Sequence, residues 1–179
     1  MDKINPVIII GAPRSGTNML RNALCQISGL VTWPCDEING IWRYGNARCS
    51  NDELQQSHAT AKVKQYIHRS FEKLLHHSKG NQIIEKTCAN SLRIPFVNKI
   101  YPEARYIFLK RDGRDVLPSA MKRWTAPFDL SYSLQKAKYI PFHDLPAYAL
   151  RYCFYRWQRV FNPEKRLSSW GPRFEGIDT

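Results

Sequence analysis

The chain has 179 residues, with 27 Lys and Arg against 15 Asp and Glu, for a formal net charge of +12. A domain of that size buries roughly 70% of its unfolded surface, so a single domain over residues 1–179 with a substantial core is expected. The charge calls for an anionic partner (nucleotide, polyanionic glycan, nucleic acid or membrane surface), and basic residues spread along the chain argue against a basic tail.

The short apolar run after Pro6 is too brief for a signal peptide or a membrane span. It reads as a buried strand from Val7, passing through a Gly-bounded turn into a first helix over 15–27. Met19, Leu20, Ala23, Leu24 and Ile27 mark one face of that helix at helical spacing. The segment WPCDEINGIWRYGN follows, rich in aromatics and carrying Asp36 and Glu37. A second helix is predicted over 58–77, with Ile67, Phe71, Leu74 and Leu75 inward. Ile83 and Ile84 mark a second strand, and 91–100 a short helix interrupted by Pro95. A third strand over 106–109 leads to a helix over 115–124. A loop with Pro127 and Pro141 then precedes a long helix over 145–161. Strands alternating with helices predict an α/β fold, a three-layer, P-loop-like parallel sheet flanked by helices. Five cysteines, Cys25, Cys35, Cys49, Cys88 and Cys153, form no C-x-x-C pair, so neither a zinc site nor a disulfide framework is encoded. A soluble, reducing compartment, the cytoplasm, is the expected location.

The first strand-to-helix junction, VIIIGAPRSGTNML, is suited to an anion. Free N–H groups and the positive dipole end of a helix bind phosphate without side chains. Gly11 and Gly16 repeat the outer frame of the Walker loop, but Thr17 stands in the lysine place and Asn18 in the magnesium-ligand place. Arg14, Thr17 and Asn18 remain to grip a phosphate with no metal. A second junction, ARYIFLKRDGRDVLPSAMKRW, supplies another arginine-rich turn before a helix. Two such junctions in one chain point to a ligand with two phosphate groups.

Together the two segments resemble the cofactor signatures of sulfotransferases that use 3′-phosphoadenosine-5′-phosphosulfate. The first is similar to the family's P-[RK]-[ST]-G-[ST]-[TN] loop. The second is similar to its R-x-P-R-D-x-x-x-S pattern, matched by Arg111, Arg114, Asp115 and Ser119, with Gly113 where many members carry proline. The resemblance implies that Arg14, Ser15, Gly16, Thr17 and Asn18 contact the 5′ end of the donor, and Arg111 with Ser119 its 3′-phosphate. An arginine fork suits a terminal phosphate dianion on chemical grounds as well. Between the two lies NQIIEKTCAN, which resembles the E-K-T-P segment of glycan-directed members, where the lysine faces the transferring sulfonate or the acceptor. Lys86 is that lysine here.

Transfer of a sulfonate needs a base for the acceptor's proton and cations for the charge that builds on the leaving phosphate. Small-molecule members use a histidine in a K-T-H segment, and Cys88 takes that place here. Glycan-directed and several bacterial members use a glutamate shortly after the first helix. The nearest candidate is Glu37, with Asp36 as the alternative. Catalytic roles are therefore expected for Glu37, Arg14 and Lys86, with no metal. The acceptor would be a hydroxyl compound, possibly a glycan, on which Trp33, Trp42 and Tyr44 could stack unless they pack in the core. His58, His68, His76, His77 and His143 are read as surface or packing residues.

The family's later segment that closes over the cofactor has no match, so a shortened fold lacking the C-terminal part is expected. Golgi members carry a membrane anchor ahead of the first strand, and this chain resembles a bacterial or cytosolic form without one. Three alternatives stand beside transfer: a P-loop nucleotide-binding protein, a nucleic-acid binding module suggested by the positive charge, or an inactive remnant that binds nucleotide or a protein partner. No basic stripe or aromatic platform for nucleic acid is present in the sequence.

Overall fold

A computed structural model describes residues 4–124 and 138–161. Four parallel strands form its sheet: β1 (Val7–Gly11), β2 (Leu30–Val31), β3 (Gln82–Lys86) and β4 (Arg105–Leu109), in the order β2-β3-β1-β4. β1 has a neighbour on either side, which is why it reads as an unbroken apolar run. Its register sets Ile8 beside Glu85 and Ile9 beside Lys86 on one side, and Gly11 beside Leu109 on the other.

Helices connect the strands: α1 (Thr17–Leu24), the short α2 (Asn39–Trp42), α3 (Ala61–Ser78), α4 (Ile94–Ile100), α5 (Gly113–Trp124) and α6 (Leu145–Phe161). Thr60 caps α3 by accepting from the Val63 N–H, and Val63, Ile67 and Phe71 bury its inner face. Phe71 meets Trp33 and Trp42 edge to face, with ring centroids 4.7 and 5.7 Å away. α4 adds Phe96, Val97 and Ile100 to this core, which rests on Ile8 and Ile83 of the sheet.

The α/β architecture agrees with the sequence reading, and several local expectations are corrected. The first helix starts at Thr17, because Gly16 adopts φ 97°, outside the helical region. Its inward stripe is Thr17, Leu20, Arg21 and Leu24, while Met19 and Ile27 are 75% and 56% exposed. The helical period is right and the face is rotated, because polar Thr17 and Arg21 find partners inside. The helix predicted from residue 58 starts at Ala61, and His58 lies in a preceding 3₁₀ turn. The helix predicted over 91–100 divides into a 3₁₀ turn (Cys88–Leu92) and α4. Pro95 opens α4 and does not interrupt it, since a missing N–H is harmless in a first turn. β2, two residues long, was not predicted.

Candidate active site

β3, β1 and β4 run parallel, so their C-terminal ends share one edge of the sheet. The chain leaves β1 to build β2 and β3 on one side, then crosses to place β4 on the other. Such a reversal opens a crevice at the C-terminal edge, the usual ligand position in open α/β sheets. The loops after β1, β3 and β4 carry the three sequence segments singled out above.

The loop after β1 is tightly constrained. A Cβ on Gly11 would lie 2.8 Å from Thr17 Cγ2 and 3.0 Å from the Leu109 carbonyl oxygen, so only glycine fits between the loop and β4. Arg14 is left-handed at φ 69°, unusual for a side chain of this size. Its Nε donates to Ser119 Oγ on α5 at 2.8 Å, joining positions 105 residues apart. The first N–H groups of α1 have no acceptor within their own helix. A cradle too tight for a Cβ, these backbone donors and an exposed guanidinium beside a hydroxyl fit a phosphorylated donor on chemical grounds.

On the other side of β1, Lys86 ends β3 with its side chain 1% exposed. Its Nζ lies 3.1 Å from Glu37 Oε1 and 3.5 Å from Asp36 Oδ1. Glu37 Oε1 also accepts from the Cys88 N–H at 3.2 Å. Asp36 Oδ1 accepts from Asn18 Nδ2, and Arg21 Nη1 donates to the Asp36 carbonyl at 2.9 Å. Asp36 thereby ties α1 to the end of β3, whereas Glu37 is held by β3 and the residue two places beyond it.

Beneath this pair lies Glu85, fully buried and engaged by Trp42 Nε1 at 3.0 Å, Thr87 Oγ1 at 2.6 Å and Asn90 Nδ2 at 2.8 Å. Burial pushes its carboxyl above the ordinary value, against the opposing pull of the Thr87 and Trp42 hydrogen bonds and of the Arg93 and Lys86 charges. Farther back, Asp52 bridges two buried arginines, 2.8 Å from Arg43 Nη1 and 3.7 Å from Arg93 Nη1. Arg43 also donates to the carbonyls of Asn46, Cys49 and Asn51, fixing the loop that follows α2.

The predicted site residues thus fall into groups. Arg14 meets Ser119. Lys86 meets both Glu37 and Asp36. Asn18 faces Asp36, and Thr17 Oγ1 lies 3.6 Å from Cys88 Sγ. Ser15 is buried, its hydroxyl closing the turn onto the Ala12 carbonyl. Arg111 stands at the mouth, 4.0 Å from Asp115, with both side chains substantially exposed. Arg114 pairs with Asp112 in solvent. Cys88, in the position of the small-molecule members' histidine, has its thiol pushed up to about 12, chiefly by burial and then by the Glu37 charge. It stays protonated at neutral pH and cannot act as a base.

Trp33, Trp42 and Tyr44 pack in the core. All three are buried, Trp33 and Trp42 against Phe71 and Tyr44 on Tyr66 at 3.8 Å between centroids. His68 is a packing residue, stacked on Tyr101 with Nε2 2.9 Å from the Ile100 carbonyl. Sequence reasoning missed Glu85, Thr87 and Arg21. A glutamate directly after two isoleucines in a strand was the available signal for Glu85.

Among the described residues no helix is long and apolar enough to cross a membrane, and no cluster of His, Cys, Asp and Glu is placed to hold a metal. No curated protein matches the chain. The model of the Sulfotransferase family matches residues 6–167, a span that contains the loop after β1, Lys86 and the Arg111–Ser119 segment. With the parallel sheet and the two arginine-bearing junctions joined at its C-terminal edge, that match establishes that the chain belongs to the sulfotransferase family.

Proposed function

We propose that this sulfotransferase moves a sulfonate from 3′-phosphoadenosine-5′-phosphosulfate to the hydroxyl of an acceptor, a carbohydrate, by in-line displacement without a metal. The observation that carries this reading is the Arg14 to Ser119 hydrogen bond of 2.8 Å, which joins the loop expected to hold the 5′ end to the helix expected to hold the 3′-phosphate. In the proposed step the acceptor oxygen forms a bond to sulfur while its proton passes to the Glu37 carboxylate. The bond between sulfur and the bridging oxygen breaks, and its electron pair stays on the 5′-phosphate of the leaving nucleotide. Arg14, the α1 N–H groups and Lys86 offset the charge that develops there.

Glu37 is preferred to Asp36 as the base because of what each holds. Asp36 spans Asn18, Arg21 and Lys86 and so joins two elements. Glu37 contacts Lys86 and the Cys88 N–H at the sheet edge. Ser15, Gly16, Thr17 and Asn18 complete the 5′ side and Arg111 the 3′ side. The reading is tested by transfer of label from the donor to a panel of mono- and oligosaccharides in the presence of a chelator. Labelled product that survives chelation supports it. Transfer only to non-carbohydrate alcohols would remove the acceptor assignment, and dependence on added metal would remove the metal-free one.

A further inference from the structure

Segments 36–38 and 86–88 meet at four points, one of them the Lys86 to Asp36 contact already described. Lys86 Nζ reaches Glu37 Oε1 at 3.1 Å, the Cys88 N–H donates to that same oxygen at 3.2 Å, and between them the Ile38 N–H donates to Thr87 Oγ1 at 3.3 Å. The Thr87 hydroxyl in turn gives its proton to Glu85 Oε1 at 2.6 Å, and both Thr87 and Glu85 are fully buried. A hydroxyl has one proton to donate. With Glu85 taking it, the oxygen's lone pairs are left facing Ile38. Glu85 is itself oriented by Trp42 and Asn90, so its carboxylate has little freedom to turn away.

A carboxylate buried this completely is weak evidence for stability, since apolar replacements of buried ionic groups are often neutral or stabilising. Its clear geometric consequence is to fix the Thr87 hydroxyl as an acceptor at the residue next to Glu37. We infer that Glu85 and Thr87 are positioning residues, a buried relay that sets the backbone of Ile38 and thereby the placement of the Glu37 carboxylate beside Lys86. The inference rests on the reading of Glu37 as the base.

The test compares Thr87→Val with Thr87→Ser, using amide hydrogen exchange at Ile38 and turnover with labelled donor and the best saccharide of the panel. Thr87→Val keeps the shape and removes the hydroxyl. The expected result is lost protection at Ile38 and at least a tenfold drop in kcat, with the donor KM within about twofold. Thr87→Ser is expected to restore both. Should Thr87→Val fail to fold, Thr87→Ala removes the same hydroxyl together with the γ-methyl group. Retained kcat in the hydroxyl-free variant, or equal losses in Thr87→Ser and Thr87→Val, overturns the relay. Glu37→Gln separates the two ideas. If that variant is inert while Thr87→Val behaves as wild type, the relay alone fails. If Glu37→Gln turns over normally, the base assignment fails and the relay's purpose falls with it.

Discussion

Arg14 donates its Nε proton to Ser119 Oγ at 2.8 Å, although 105 residues separate the two in the chain. The bond links the loop after β1 to the helix after β4 at the C-terminal edge of the sheet. Arg14→Ala is expected to lose on the order of 10²- to 10³-fold in turnover, as removal of one donor to a developing charge typically does. Steady-state kinetics with labelled donor measures this, and unchanged turnover removes Arg14 from the mechanism.

Gly11 and Gly16 are required for different reasons, and their alanine variants should differ accordingly. At Gly11 the new methyl group meets Thr17 Cγ2 at 2.8 Å and backbone at 3.0 Å, so the loop must move. About 1–3 kcal/mol of destabilisation is expected, with lost nucleotide binding. At Gly16 nothing lies closer than 3.9 Å, but φ is 97°. The cost there is conformational, about 1–2 kcal/mol. Chemical denaturation of both variants checks the two values.

Lys86, Asp36 and Glu37 form one cluster, so their substitutions should separate by role. Glu37→Gln is expected to keep nucleotide affinity and lose transfer. Asp36→Asn is expected to keep transfer at a reduced rate, since the amide still accepts from Asn18. Calorimetry and transfer assays on the same preparations resolve the pair, and a dead Asp36→Asn with an active Glu37→Gln moves the base by one residue.

Asp52 makes acid stability a readout of the network behind the site. Burial alone would raise its carboxyl, but the charge of Arg93, the hydrogen bond and charge of Arg43 and the Asn39 hydrogen bond outweigh it and hold the value below the ordinary one. A carboxyl depressed in the folded state contributes stability above its unfolded value, near 3.9, and loses it as pH falls through the folded value. Asp52→Asn should therefore be less stable than wild type at neutral pH, with the difference shrinking below about pH 4. Melting temperatures from pH 7 down to pH 3 show whether the curves converge.

Cys88 should be inert to alkylation. With its thiol pushed up to about 12 by burial, almost no thiolate exists at pH 8, whereas Cys153 is exposed. Mass spectrometry after brief maleimide treatment is expected to find Cys153 modified and Cys88 intact.

Much of the candidate site could be proposed from sequence because its residues lie close together within each junction. The loop from Gly11 to Asn18 announces itself by glycine spacing, and Arg111 to Ser119 by its arginines. What the sequence concealed was partnership across the fold. Thr17 is also placed 3.6 Å from Cys88 Sγ, and Arg21, which no motif marks, donates to the carbonyls of Cys35 and Asp36. Trp33 and Trp42 look available to a sugar, yet Phe71 claims both. Glu85 was hidden because a buried carboxylate depends on Trp42, far away in sequence, as well as on Thr87 and Asn90 nearby.

On the proposed reading, the two junctions form one site for a nucleotide bearing phosphates at both 5′ and 3′ positions. Calorimetric titration of the whole chain with 3′-phosphoadenosine-5′-phosphate and with adenosine 5′-monophosphate, in chelator, measures this. One bisphosphate is expected to bind per chain, at least tenfold tighter than the monophosphate, a gap of about 1.4 kcal/mol or more that Ser119→Ala and Arg111→Ala both narrow. Equal affinity for the two nucleotides, or a gap that neither substitution changes, would contradict it.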